Sequence, residues 1–285
     1  MIVSASYKTD IPKFYGQWFM DKLAKGYCSL KNPYSGIEYR VNLDAADAFV
    51  FWTKDIGPFL DNLKDINRPF MVQYSINNYP KLLEKNVVAR NDAVEHMKFL
   101  FKEFGENAAV WRYDPIIDSS LTSYDWHIDN FKFLAADLKG TCNEVIISFL
   151  QLYNKTKQSL DNLFLEADFT WNDPTAIAKK ELAFKLADIA AQHGMRFSVC
   201  GQREFLDNGI FDAKCVDAER LSIIAGHEIK AKKKGHREGC GCYESKDIGA
   251  YDTCPHGCAY CYAVNSGRKA VENYNNHDYK NDFLI

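Results

Sequence analysis

The chain predicts an α/β fold of the TIM-type (β/α) barrel, complete or partial, and three features predict it. Six short apolar runs recur every few tens of residues, at 2–6, 48–53, 70–76, 108–112, 144–150 and 196–200. They are near-continuous rather than alternating, the pattern of parallel strands buried on both faces. Longer amphipathic stretches separate them, so that strand and helix alternate. No G-x-G-x-x-G follows a run, which takes away the main support for an open dinucleotide-binding sheet.

The connecting stretches justify themselves in order. Residues 14–24, 92–104, 125–138 and 174–193 carry apolar side chains at three- and four-residue spacing and read as helices. The last opens on Asp173-Pro174, an N-cap followed by a first helical residue, and Gly105, Gly140 and Gly194 follow the last three as stop signals. Residues 27–41, with Asn32-Pro33 and Ser35-Gly36, predict a hairpin inserted at about 27–43 after the first helix. The barrel core therefore spans 1–212. From 213 the pattern gives way to a region rich in Gly, Cys and Lys that carries ligands and closes the barrel over 213–285. Its polar tail, 265–285, is expected to be partly disordered.

Composition narrows the class. With 285 residues, 47% hydrophobic and 14% aromatic, the chain can bury a sizeable core. No apolar run is long enough to cross a bilayer, and the N-terminus lacks signal-peptide character, so a cytoplasmic protein without a membrane partner is expected. Nine cysteines in that setting point to thiolates serving metals or redox chemistry rather than disulfides. A net charge of −3 gives no general drive toward nucleic acid. The one dense basic run, 230–237, lacks interleaved aromatics and reads as a solvated loop.

The chemistry concentrates in Cys254-Pro-His-Gly-Cys258-Ala-Tyr-Cys261. Three thiolates at C-x3-C-x2-C spacing can hold three irons of a [4Fe-4S] cube and leave the fourth open to a ligand. Zinc is the competing reading, since Cys258 and Cys261 form a C-x2-C pair, but no second such pair completes a tetrahedron outside this run. Cys200, Cys215, Cys240 and Cys242 could together close a second iron-sulfur cluster or a zinc site, whereas Cys28 and Cys142 read as ordinary buried thiols. His256, inside the loop, is placed to donate to cluster sulfur. Polar residues ending the strands of such a barrel face its active mouth. Here they are Lys8, Thr9 and Asp10, Trp52, Thr53 and Lys54, Gln73, Ser75 and Asn77, and Arg112, Tyr113 and Asp114. Asp10 also reads as an N-cap, and Arg112 with Asp114 either as a structural ion pair or as a grip on a zwitterion.

The stretch Cys-Ala-Tyr-Cys-Tyr-Ala, with Tyr260 and Tyr262, resembles the cluster loop of radical S-adenosylmethionine (SAM) enzymes. Ser4-Ala-Ser6, Thr9-Asp10-Ile11-Pro12, Phe51-Trp52-Thr53-Lys54 and Trp111-Arg112-Tyr113-Asp114-Pro115 resemble, over nearly the whole chain, an uncharacterised bacterial family, DUF1848. Tyr7-Lys8 stand where two arginines are expected. The kinship implies a [4Fe-4S] cluster on Cys254, Cys258 and Cys261 that cleaves SAM to a 5′-deoxyadenosyl radical. It also implies an unknown substrate and an electron donor such as ferredoxin or flavodoxin. Ser6, Thr9, Asp10, Gln73 and Tyr260 are then candidates for holding SAM, and Lys54, Arg112 and Asp114 for catalysis or its support. Radical SAM barrels usually carry the loop after their first strand, so a circular permutation is expected, with 247–253 as the loop-bearing strand beside the first strand of the chain. The alternatives are a non-catalytic iron-sulfur electron carrier, a zinc-stabilised protein and, less favoured, a nucleic-acid-processing radical enzyme.

Overall fold

The computed structural model describes residues 1–33, 35–235 and 239–285. Strands β1 (Ile2–Ala5), β2 (Ala48–Thr53), β3 (Phe70–Ser75), β4 (Ala109–Ile116), β5 (Glu144–Phe149), β6 (Arg196–Val199) and β7 (Phe211–Asp212) lie side by side in chain order. A last strand, β8 (Ser245–Asp247), returns to the free edge of β1, completing an eight-stranded sheet. Every ladder is parallel. Among the described residues no ladder joins β7 to β8, so backbone hydrogen bonds do not close the sheet into a ring.

Two-residue periodicity sorts the strand side chains onto two covered faces, which explains the near-continuous apolar runs. Val3, Phe49, Phe51, Val72, Trp111, Val145 and Ile147 pack into the large core beneath the helices. Their neighbours Ile2, Val50, Met71, Val110 and Ile146 face a second core, filled by Val216, Leu221, Cys200, Cys215 and Cys242 from the end of β6 and beyond β7. Polar residues take over that second face toward the strand C-termini: Ser4, Gln73 and Arg112 are all buried.

The helices are α1 (Ile11–Phe14), α2 (Gly16–Lys25), α3 (Arg90–Phe104), α4 (Tyr124–Asp137), α5 (Asn154–Ala167), α6 (Ala176–Gln192), α7 (Ala218–Ala225) and α8 (Gly267–Asn275). Helix α6 is capped by Thr175, whose hydroxyl accepts from Ala178 N, and not by Asp173 as its Asp-Pro pair predicts. Pro174 forbids a donor at its own nitrogen, and the next hydroxyl in sequence takes the cap. The predicted hairpin is present, as the antiparallel pair Tyr27–Lys31 and Glu38–Asn42.

Two expectations for the C-terminal region are corrected. The loop-bearing strand is Ser245–Asp247 and not 247–253, because Asp247 is fixed by hydrogen bonds to the end of β1 and turns the chain there. The polar tail is ordered. Helix α8 starts at a Ser266 cap, Asp282 O accepts from Ser29 N, Asn281 O accepts from the Trp18 indole, and the fully buried Lys22 ammonium donates to Lys280 O. A buried ammonium needs such an acceptor, and the tail supplies it.

The tail's apolar anchor is Leu284, 2% exposed and part of the large core. Replacing Leu284 by Ala is expected to cost about 2–5 kcal/mol in urea unfolding; a loosely attached tail would give a change near zero.

Candidate functional site

Strand β8 delivers the cysteine loop to the C-terminal end of β1. Asp247 accepts from Ser6 Oγ at 2.9 Å, Tyr7 N at 3.0 Å and its own Gly249 N at 3.0 Å. Thr9 Oγ1 donates to Ala250 O at 2.8 Å and lies 2.6 Å from Thr253 Oγ1. Gly249 is required here, since a Cβ would stand 2.1 Å from Ser6 Oγ. The loop therefore emerges on the rim that carries Ser6, Thr9, Asp10 and Lys54.

Two buried carboxylates grip it. Asp10 caps α1 through Lys13 N and, with its other oxygen, accepts from Lys54 N at 2.7 Å and Thr53 Oγ1 at 3.1 Å. That same oxygen lies 2.7 Å from His256 Nε2. His256 Nδ1 faces Asn86 O at 3.2 Å. Both ring nitrogens are thus engaged by oxygen, and through them the histidine positions the loop. Backbone bonds continue the clamp: Asn86 N donates to His256 O and Ala259 N to Leu83 O.

Glu84 is the second carboxylate and was not foreseen. It is 3% exposed and accepts from Lys54 Nζ at 2.8 Å, Asn77 Nδ2 at 3.0 Å and the Tyr260 hydroxyl. Burial alone would favour its neutral form, but Lys54 and these donors hold the carboxyl below its ordinary range. Lys54 also sits over the Tyr260 ring. A solitary acid in the segment 80–86 carries no periodic or motif signal. Only the neighbouring leucines, Leu82 and Leu83, hint at burial.

Cys254, Cys258 and Cys261 are each partly accessible at the residue level, with protein packed closely round the sulfurs. Burial, then Asp10 and Cys261, pushes the Cys254 thiol up to about 12. Cys258 is raised well above its usual value by burial, partly countered by Lys54, and Cys261 is raised by burial. Thiols held protonated in this way become ligands when a bound cation offsets the charge. Three mutually interacting thiols on one loop suit an iron-sulfur cluster with an open corner. Among the described residues no three His, Cys, Asp or Glu side chains are arranged to hold a metal ion as they stand, so ligation requires side-chain rotation.

Deeper in the sheet, Arg112 Nε donates to Asp114 Oδ1 at 3.1 Å and Nη2 to Asp114 Oδ2, while Nη1 reaches Gln73 Oε1 at 3.2 Å and Cys215 Sγ at 2.9 Å. Gln73 Nε2 donates to Cys215 O at 2.9 Å. Gln73, which the sequence offers as a candidate for holding SAM, is fully buried in this polar interior, bonded to Cys215 O and Arg112. Cys200, Cys215, Cys242 and Cys240 lie in series through hydrogen bonds. Cys28 and Cys142 are plain buried thiols. In the basic run, His236 and Arg237 lie outside the described residues; Lys233 pairs with Tyr243 beside Cys242.

A cavity of 240 Å³ opens beside the loop, lined by Lys54, Ser75, Asn77, Glu84 and Arg90 among others. Asn77 Oδ1, buried, has no hydrogen-bond partner among the described residues. A cavity of 310 Å³ elsewhere, walled by Ile116, His127 and Phe149, shares no residue with it. There His127 bonds Tyr113 and Ile117 O, and burial lowers its imidazole to about 4, a structural histidine.

These features define an α/β protein with an eight-stranded parallel sheet whose final strand presents a three-cysteine loop at the strand C-termini. The chain belongs to the family described as Domain of unknown function (DUF1848), whose model matches residues 2–263. No curated protein and no solved structure matches it. No helix among the described residues is long and apolar enough to cross a membrane.

Lys54→Met strands Glu84 without its cation and is expected to destabilise the protein by about 3 kcal/mol in urea unfolding at pH 7, much of it recovered in Lys54→Met/Glu84→Leu. An additive double mutant would mean that the pair is not coupled. Because Glu84 titrates below 4.5 in the folded state, the stability difference between wild type and Glu84→Gln should be full at neutral pH. It should shrink as pH falls through that lowered value.

Proposed function

We propose that this protein is a radical SAM enzyme whose sheet curls as a (β/α) barrel, with its loop-bearing strand moved to the end of the chain. The strand order supports the barrel: β8, β1 and then β2 to β7 follow one another as barrel strands do, with one seam left unlaced. The observation that carries the function is the meeting of Cys254, Cys258 and Cys261 with Lys54, Glu84 and Asp10 on the rim where such barrels work.

When bound, a [4Fe-4S] cluster on these thiolates would supply an electron for reductive cleavage of SAM, with ferredoxin or flavodoxin as the class of donor. The chain's own groups do the rest. Lys54 offsets thiolate charge at Cys258 and fixes Glu84. Asp10 and His256 hold the loop against the ends of β1 and β2. Asn77 Oδ1 offers an acceptor to a donor group on a small molecule in the adjoining cavity. Ser6 and Thr9 act on the loop's position through Asp247 and Thr253. Arg112 and Asp114 are already paired with each other, which suits a fixed polar wall better than a proton donor.

Protein reconstituted with iron and sulfide without oxygen, then given dithionite and SAM, should release 5′-deoxyadenosine. Cys258→Ala should lower that release to the protein-free background while the far-ultraviolet circular dichroism stays native. Release that survives in Cys258→Ala would remove this ligand assignment, and iron bound without any cleavage would favour an electron carrier.

A further inference from the structure

Four thiols that the radical chemistry does not use meet at the seam between β7 and β8. Cys200 directly follows β6, Cys215 follows β7 by three residues, and Cys240-Gly241-Cys242 leads into β8. Cys215 Sγ donates to Cys200 Sγ at 3.4 Å. Cys242 hydrogen-bonds with both Cys215 and Cys240. In a tetrahedral site with metal-sulfur bonds of about 2.3 Å, neighbouring sulfurs stand about 3.8 Å apart, so the Cys200–Cys215 pair is already close to that separation, while the series as a whole is not yet arranged round one ion.

Two donors already face the sulfurs. Arg112 Nη1 lies 2.9 Å from Cys215 Sγ, and Val216 N donates to Cys242 Sγ at 3.4 Å. Amide and guanidinium donors to thiolate sulfur are what second-sphere groups of metal sites provide. The glycine between Cys240 and Cys242 is closely approached, since a Cβ at Gly241 would stand 3.1 Å from Ala213 O and 3.1 Å from Asp212 Oδ2, tighter than an ordinary contact. Gly239 approaches Gly201 O, with its Cβ position 3.6 Å away. The turn thus packs against the segment after β6 and the end of β7. Lys234 N donates to Cys242 O and Glu244 N to Lys232 O, which ties the lysine run to this segment through the backbone.

We propose that Cys200, Cys215, Cys240 and Cys242 bind one zinc-class divalent cation as a tetrathiolate that stitches β6 and β7 to the entry of β8. Rotation about the cysteine side-chain torsions turns the series of thiols into a closed set. Binding releases the thiol protons to solvent and changes no oxidation state. The site is structural, since four protein thiolates leave no open position. It stands apart from the radical reading and survives if that reading fails.

The test uses the full chain carrying Cys254→Ser, Cys258→Ser and Cys261→Ser, so that metal on the other loop does not contribute. After loading with Zn²⁺ or Co²⁺ and desalting, about one equivalent per chain should remain, and cobalt should show intense thiolate charge transfer with a tetrahedral ligand-field pattern. Adding Cys240→Ser, at a partly accessible position, or Cys215→Ser should weaken binding by about tenfold or more and change the cobalt spectrum. No retained metal in the parent, or a cobalt spectrum without thiolate charge transfer, would overturn the proposal. So would a spectrum unmoved by both substitutions, or anaerobic reconstitution that puts about four irons with sulfide on these cysteines. The parent's metal content decides the matter even if one added substitution prevents folding.

Discussion

The ladder that pairs Ile2, Val3 and Ser4 with Ser245, Lys246 and Asp247 places everything at the candidate site. Three paired residues are too few to be held by burial alone, and β8 is only partly buried. Side-chain chemistry makes up the difference. Asp247 gathers donors from Ser4, Ser6, Tyr7 and Gly249, and hydrogen bonds to a charged acceptor contribute about 1.5–3 kcal/mol each. Lys8 lies 3.2 Å from the same carboxylate. Once the strand is fixed in this register, a parallel sheet leaves its continuation no exit except the C-terminal rim, and the cysteines follow within a few residues.

From there, two buried carboxylates convert proximity into position. Asp10 ties the loop histidine to the starts of α1 and of the segment after β2, while Glu84 draws together Lys54, Asn77 and the loop's Tyr260. Each is costly to bury unless all its partners are present, so the loop and the strand ends are mutually dependent. The same logic governs the interior, where Arg112 is buried only because Asp114, Gln73 and Cys215 surround it. Polar saturation at the mouth and apolar filling at the base are the two halves of one covered face.

Much of this was legible in the chain. The six apolar runs are the first six strands to within a few residues, because strands covered on both faces leave no ambiguity of period. The hairpin and four helices were visible for similar reasons. The C-terminal region was not. Ser245–Asp247 is polar and edge-lying, so the apolar run rule slides past it to Ile248. The tail is fastened by backbone carbonyls to a buried Lys22, which composition cannot announce. At the site, the cysteine spacing was plain, and the grouping of Cys200, Cys215, Cys240 and Cys242 followed from the strand ends that carry them. Glu84 escaped because burial of a lone acid is a tertiary fact. The tie of His256 to the strand ends was not legible because its partner, Asp10, stands 246 positions away in sequence.

The most direct measurement is electron paramagnetic resonance of the anaerobically reconstituted, dithionite-reduced protein with and without SAM. On the proposed reading one iron of the cluster is open to SAM, so the spectrum of the reduced cluster should change in shape on its addition. A spectrum identical in both samples, or no cluster signal at all, would contradict an open metal corner on Cys254, Cys258 and Cys261.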